Sequence, residues 1–449
     1  MAALRTPALA FLLVFAALGD RARAQGPATG PPPAKNVILM IADGFGPASR
    51  TMARAVAERE LALDDILVGT CSTYSADSLV TDSAAAATAL ACGIKTINGA
   101  IGVDPAIQPV ATLLEAFESQ SRSTGIVTTT QITHATPAAF SAHVRIRTMT
   151  RAIGEQQLRQ GIEVLFGGGT PFHAPSDGGR PNLRALAIEA GYRIVTDRAA
   201  FDELEETPVL AIFSSEHMAF EIDRDPLAQP SLAEMTRKAL DLLDGDEAGF
   251  FLVVEGGRID HAGHGNDPAA HVADILAYDD AVAVALEFAR ADGNTLVVST
   301  ADHETGGMTL GRAIDGLAVY AWDPEILRRV RGSLGRMAAE IMASEDWEAA
   351  LGEWTGITDL TAEERAALAL AVAAGDLRGA LGRFLNRRAG IGWTTGGHTG
   401  VDVELFAFGP GSERFRGTHD NAELGRLLAE LQGFDMPALT RALGADEGR

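Results

Sequence analysis

NVILMIADGFG, residues 36–46, reads as a strand with no face left for water, because apolar residues run from Val37 to Ala42 without alternation. Such a strand belongs in a sheet covered on both sides. Asp43 and two glycines follow at once, so polar chemistry begins where the strand ends. The same pattern recurs in TGIVTTT (124–130), IEVLFGG (162–168), GFFLVVEGG (249–257), TLVVSTAD (295–302) and VDVELFAFG (401–409). Helical periodicity lies between these runs at 109–120, 182–190, 231–244 and 267–290. The alternation predicts an α/β fold, a doubly wound, mostly parallel sheet flanked by helices. From about 314 to 388 strand signal fades and amphipathic helices take over, which predicts a helical insertion between two strands of the sheet.

Residues 1–24 carry Arg5, an apolar run from Ala8 to Leu18 and a small-residue Ala-Arg-Ala end. This is the pattern of a cleaved signal peptide, and it predicts an exported protein, periplasmic or secreted. The apolar run is shorter than the ~20 residues a membrane span needs, so no stable membrane anchor is expected. Residues 25–35 are Pro/Gly-rich and read as an extended leader to a catalytic domain over 36–449. The formal charge of −23 argues against nucleic acid as a partner. It also means that an anionic substrate would need a local positive site, which bound metal ions would supply. Cys71 and Cys92 match no metal-binding spacing and read equally well as buried small residues or as a disulfide.

Ligands of doubly wound sheets bind beyond the carboxyl ends of the strands. Asp43, Glu255, Asp260, His264, Asp302 and His303 all follow strand ends, and His398 precedes the last strand in TTGGHTG. Singly, each reads as a turn residue, a helix cap or a surface histidine. Together they make sets. Asp260, His264 and His398 suit a catalytic zinc with one open position. Asp260 and His264 are four residues apart, so one helical turn or a tight loop can aim both at one ion. Asp302 and His303 can share a second zinc with Asp43 only where the strand has broken into a loop. Glu255 and the Thr136 hydroxyl offer oxygens alone, which favours magnesium. Two zinc ions ~4 Å apart suit in-line displacement at phosphorus. Ser83, at the start of the helix in VTDSAAAATAL (80–90), is the candidate nucleophile, and Arg147 the group that grips non-bridging oxygens.

ADGFG, TDSAAAATAL, THATPAAFSAHVRIR, EGGRIDHAGH, STADHETGG and GWTTGGHTG resemble the motifs of the alkaline phosphatases, in the same order, from about Asn36 to the helix near 420–432. The resemblance implies hydrolysis of small phosphate monoesters through a phosphoserine at Ser83, with Arg147 binding phosphate and Asp82 holding that arginine. It implies two zinc ions, on Asp260, His264 and His398 and on Asp43, Asp302 and His303, and one magnesium on Asp43, Thr136 and Glu255. Relatives are often dimers, so a homodimer is also an expectation. His134 and His261 match positions just behind the metal ligands, where some bacterial enzymes carry Asp and Lys, and this implies looser magnesium binding and a strongly alkaline optimum. Phe213 matches a further calcium site of animal enzymes, but Ser214 and Gln229 stand where carboxylates would be expected, which argues against a fourth metal. A phosphodiesterase or sulfatase of the same superfamily is the alternative enzyme, and a metal- or phosphate-binding protein without turnover the alternative class.

Overall fold

β1 (Asn36–Ile41) is buried along its whole length in a ten-stranded sheet. The other strands are β2 (Leu67–Ser72), β3 (Ser123–Gln131), β4 (Val164–Gly168), β5 (Arg193–Val195), β6 (Val209–Ile212), β7 (Phe250–Glu255), β8 (Thr295–Thr300), β9 (Val403–Phe408) and β10 (Gly417–Asp420). Their order is β10-β2-β9-β8-β1-β7-β3-β4-β6-β5. The computed structural model describes residues 33–173, 181–314, 316–318 and 320–446. The expected signal peptide and all but the end of the leader lie outside the described residues.

The architecture is the α/β one that the buried strands imply. β1 pairs in parallel with β7 and β8, and all three are buried at every position. Helices cover the sheet, among them Leu183–Glu189, Leu232–Leu243 and the long Pro268–Asp292, close to the periodic segments of the sequence. The strands without a sequence signal are β2, β5, β6 and β10, which are short or lie at or near an edge. β2 and β10 are partly exposed, so neither carries an unbroken apolar run.

β9 is antiparallel to both neighbours, β8 and β2. That reversal positions the chemistry. Only an antiparallel strand brings the residues before it to the carboxyl edge of the parallel strands, and His398 is one of those residues. A two-residue ladder then pairs His398 with Thr305 and Thr399 with Glu304, clamping this loop to the one after β8.

Among the described residues, five helices lie between β8 and β9, at Pro324–Arg329, Leu334–Ala343, Trp347–Thr355, Ala362–Ala374 and Leu377–Ala389. Among the described residues no helix is long and apolar enough to cross a membrane. Cys71 and Cys92 are both buried and free, so the small-residue reading holds and the disulfide does not.

Candidate active site

Four short elements carry much of the site, and Asp43, Arg147, Glu255 and His398 join them from the ends of other elements. α1 is Ser83–Cys92, α2 is Ala135–Ser141, α3 is Arg258–His264, and the loop after β8 holds Asp302 and His303. Asp82 is the N-cap of α1, with Oδ1 accepting from Ala85 N at 3.0 Å and from Gly99 N at 2.9 Å. Its other oxygen accepts from the Arg147 guanidinium at 3.1 Å. One carboxylate therefore both starts the helix of Ser83 and holds the arginine. Ser83 is the first helical residue and is buried, and its Oγ lies 3.1 Å from His303 Nε2.

The alanines of α1 do not bring it onto the sheet as a small-residue helix face would suggest. They let it pack on other helices: Ala84 and Ala87 cluster with Ala135, Ala138 and Ala139 of α2. On its other side a Cβ built on Gly425, in helix Asn421–Gln432, would meet Leu90 O at 2.6 Å. The two helix backbones touch there, which larger side chains would forbid.

The expected ligand sets converge. Asp260, His264 and His398 present ligand atoms within 4.8 Å of one another, and so do Asp43, Asp302 and His303. α3 delivers Asp260 and His264 from one helical turn. His264 Nδ1 is 2.7 Å from Gly396 O and His398 Nδ1 is 2.9 Å from Thr81 O. A backbone carbonyl can only accept, so each Nδ1 carries a proton and the Nε2 atoms face Asp260 at 3.3 and 3.6 Å. The rings of His303 and His398 stack at 3.5 Å, which joins the two sets. Gly44, with φ +79°, crosses directly over Asp260, where a Cβ would lie 2.6 Å from the Asp260 Cα. No other residue type fits that crossing.

The third set gains a neighbour that the sequence placed outside it. Asp43 and Glu255 lie within 4.8 Å of a ring nitrogen of His134, a residue expected to stand behind the ligands rather than among them. The Thr136 hydroxyl is buried without a hydrogen-bond partner, as are both Asp43 oxygens and Glu255 Oε1. His134 Nε2 takes a hydrogen bond from Arg147 at 3.0 Å. His261 lies farther out, its Nδ1 3.0 Å from Arg258 and its ring 5.6 Å from that of His134.

The electrostatics favour a bound cation. Burial, and after it the carboxylates of Asp302, Asp260 and Glu255, push Asp43 well above the usual carboxylate range. Burial also raises Glu255 to about 7, with Asp302 adding to it and the Thr128 and Thr130 hydroxyls, which donate to its Oε2, opposing. Buried oxygens without hydrogen bonds are costly unless they face a cation. The donor sets and these orphaned atoms fit two ions held by mixed oxygen and nitrogen ligands and one held mainly by oxygens. Burial drives His134 well below its ordinary value, with Arg147 adding to the effect, so its ring is neutral. The hydrogen bond to Asp260 lifts His264 to about 9 against the opposing effect of burial.

One prediction follows from His264. Below pH 9 its imidazolium must lose a proton before it can bind a metal, so zinc affinity should rise with pH up to about 9. Calorimetric zinc titration of the metal-free protein at pH 7 should release about one proton from this residue. A binding heat that does not change with the buffer's ionisation enthalpy would contradict it.

Several residues of the site carry no sequence signal. His217 packs edge-on to His134 and His261, with ring centroids at 5.4 and 4.4 Å, and its Nδ1 accepts from Gln131 N. Thr305 donates to Asp260 Oδ1 at 2.5 Å and lies 3.2 Å from His303 Nδ1, orienting one residue of each zinc-type set. Its place two residues after His303 is the only trace in the sequence. In the segment matched to a calcium site, the Gln229 amide donates to Phe213 O at 3.3 Å and accepts from Ala219 N at 3.1 Å, so the carbonyl is already engaged.

Comparison with known proteins gives a consistent result. The family model described as Alkaline phosphatase matches residues 34–433. The repressible alkaline phosphatase of Saccharomyces cerevisiae is 38% identical, over 90% of this chain and 82% of its own. The structure is similar to that of the cold-active alkaline phosphatase from the psychrophile Shewanella sp., with a TM-score of 0.83 and 36% identity over 88% of this chain and 99% of that one. It is also similar to a histidine-to-aspartate variant of the TAB5 alkaline phosphatase solved with magnesium in its M3 site, with a TM-score of 0.68 and 27% identity over 90% of this chain and 99% of that one.

Proposed function

The chain belongs to the alkaline phosphatase family, and from that premise we propose that it hydrolyses phosphate monoesters through a phosphoserine formed on Ser83. It is a phosphatase. The observation that carries the finer reading is Ser83 Oγ set 3.1 Å from His303 Nε2, with Arg147 tied to the same helix start through Asp82.

The residues divide the work. Ser83 attacks phosphorus and the bond to the leaving oxygen breaks, giving the free alcohol and a phosphoserine that water then hydrolyses. Arg147 offers a planar fork to two non-bridging oxygens, and Asp82 fixes its plane. The phosphoryl group sits at the N-terminus of α1, whose unpaired N–H groups favour an anion. Asp260, His264 and His398 would hold one zinc and Asp43, Asp302 and His303 the other, while Asp43, Thr136 and Glu255 would hold magnesium, with His134 beside them. When bound, these ions supply Lewis-acid stabilisation of the entering and leaving oxygens. Export rests on the N-terminal pattern of residues 1–24.

Arg147 favours monoesters, which carry one more negative charge than diesters. The test compares an aryl monophosphate with a bis-aryl phosphate. Much faster hydrolysis of the monoester, with covalent labelling of Ser83 on an acid quench, is the expected result. A preference for the diester, or for an aryl sulfate, would overturn it.

His134→Asp is expected to slow the loss of magnesium to a chelator, because a carboxylate adds a charge beside Asp43 and Glu255. The magnesium-holding variant of the TAB5 relative supports this reading. Magnesium retention equal to that of the parent protein would count against it.

A further inference from the structure

Beyond His264 the site opens into a cavity of about 840 Å³, walled on its far side by the helix Leu377–Ala389 and by Arg312. Three arginines line it: Arg312, Arg378 and Arg383. None of the three forms an ion pair among the described residues, although the chain carries 60 acidic residues against 37 basic ones. Arg312 spends its donors on the backbone carbonyls of Ala313 and Ile391. Asp376 is the one acid among the lining residues, so the balance of side-chain charge there is positive.

Two further features point the same way. Asp376 is the N-cap of Leu377–Ala389, but its side chain accepts no capping hydrogen bond. The first turn of a thirteen-residue helix thus presents its N–H groups at the cavity wall, where Asp376, Arg378 and Gly379 line it. The guanidinium groups also lean inward. A Cβ built on Gly265, next to His264, would lie 3.1 Å from Arg378 Nη2, and one on Gly379 would lie 3.4 Å from Arg383 Nη1. Arg378 therefore bridges from the insertion to the loop of the site, and Arg383 folds back over the helix start.

We propose that this cavity is a second anion subsite, which selects phosphate monoesters whose leaving group itself carries a phosphate or a carboxylate. The inference rests on the monoesterase reading: Ser83 lies against His303, so in-line displacement sends the leaving group to the opposite side, toward His264. A strongly acidic protein repels a doubly anionic substrate, and unpaired arginines at the entrance offset this locally. Arg378 and Arg383 touch no member of the reacting set, so they act on specificity and not on the chemical step.

The experiment compares kcat/KM for hexyl phosphate, for the bisphosphate of hexane-1,6-diol and for 6-phosphooxyhexanoate. The subjects are the parent protein and the Arg378→Ala/Arg383→Ala double variant, both loaded with metal. In the parent, one or both doubly anionic substrates should exceed hexyl phosphate, and the preference should fall as salt is added. The two arms separate a phosphate-selective subsite from one that also takes carboxylates. In the double variant the preference should drop about tenfold while hexyl phosphate stays within about twofold, as expected for exposed charged contacts. Arg378→Lys/Arg383→Lys should restore part of the preference. Unchanged hexyl phosphate turnover also reports that the variant is folded. Equal losses on all three substrates, or an unaltered preference, would overturn the subsite and leave the monoesterase reading intact. Failure of the parent to hydrolyse hexyl phosphate would overturn that reading and the subsite with it.

Discussion

Ser83→Ala is expected to lower kcat by about a thousandfold or more while leaving the fold intact. The two halves of this expectation come from different atoms. Asp82, not Ser83, caps α1, accepting from Ala85 N and Gly99 N, and alanine is the better helix former at the vacated position. Among the described residues the Ser83 hydroxyl makes one hydrogen bond, to His303 Nε2 at 3.1 Å, so its loss should change stability by no more than about 0.5 kcal/mol. Phosphoenzyme labelling should vanish while the thermal unfolding curve of the loaded protein barely moves. Activity retained within tenfold would mean that another oxygen attacks, and the two-step scheme would fall.

Removing the metals is expected to abolish activity and also to destabilise the protein. Asp43, Glu255 and Asp302 are fully buried and crowd one another. Without a cation, burial raises Asp43 and Glu255, so their charged forms are held at a cost. The sign follows from linkage. A carboxyl whose folded-state value lies above its unfolded value penalises the fold at high pH, and the penalty is relieved as pH falls. For Glu255 the window runs from about 7 down to its ordinary 4.5. The chelated protein should therefore gain stability relative to the loaded one between pH 7 and 5. Bound ions add about 4 kcal/mol when free metal exceeds Kd a thousandfold. Differential scanning calorimetry with and without chelator, followed by recovery of activity with zinc and magnesium, checks both parts. Full activity after exhaustive chelation would refute the metal assignments.

The residues differ in how openly their sequence context announces them. Asp260 and His264 were legible because their spacing is a helical turn, and the structure makes that turn as α3. Asp302 and His303 were legible because β8 ends before them and frees both side chains toward one side. His217 and Thr305 were not, since their partners are brought by packing from distant segments. His134 was legible as a neighbour of the magnesium-type set but not as one of its possible ligands, because that depends on the angle at which α2 leaves β3. The arginines of the insertion read only as the polar side of amphipathic helices, with nothing to say that they face the site.

By itself the sequence determined the layers and the local chemistry. Unbroken apolar runs such as Val37–Ala42 are stable inside a covered sheet, and Asp82 before the alanine run favours a helix start there. These are near-neighbour effects, settled by side-chain type and spacing. Tertiary structure decided the reversal of β9 that carries His398 to the other ligands, the packing of α1 on helices instead of the sheet, the free state of Cys71 and Cys92, and the arginine-lined wall beyond His264. Each depends on which distant segments meet, and that follows from how the whole chain buries its apolar surface at once, a sum that no local window contains.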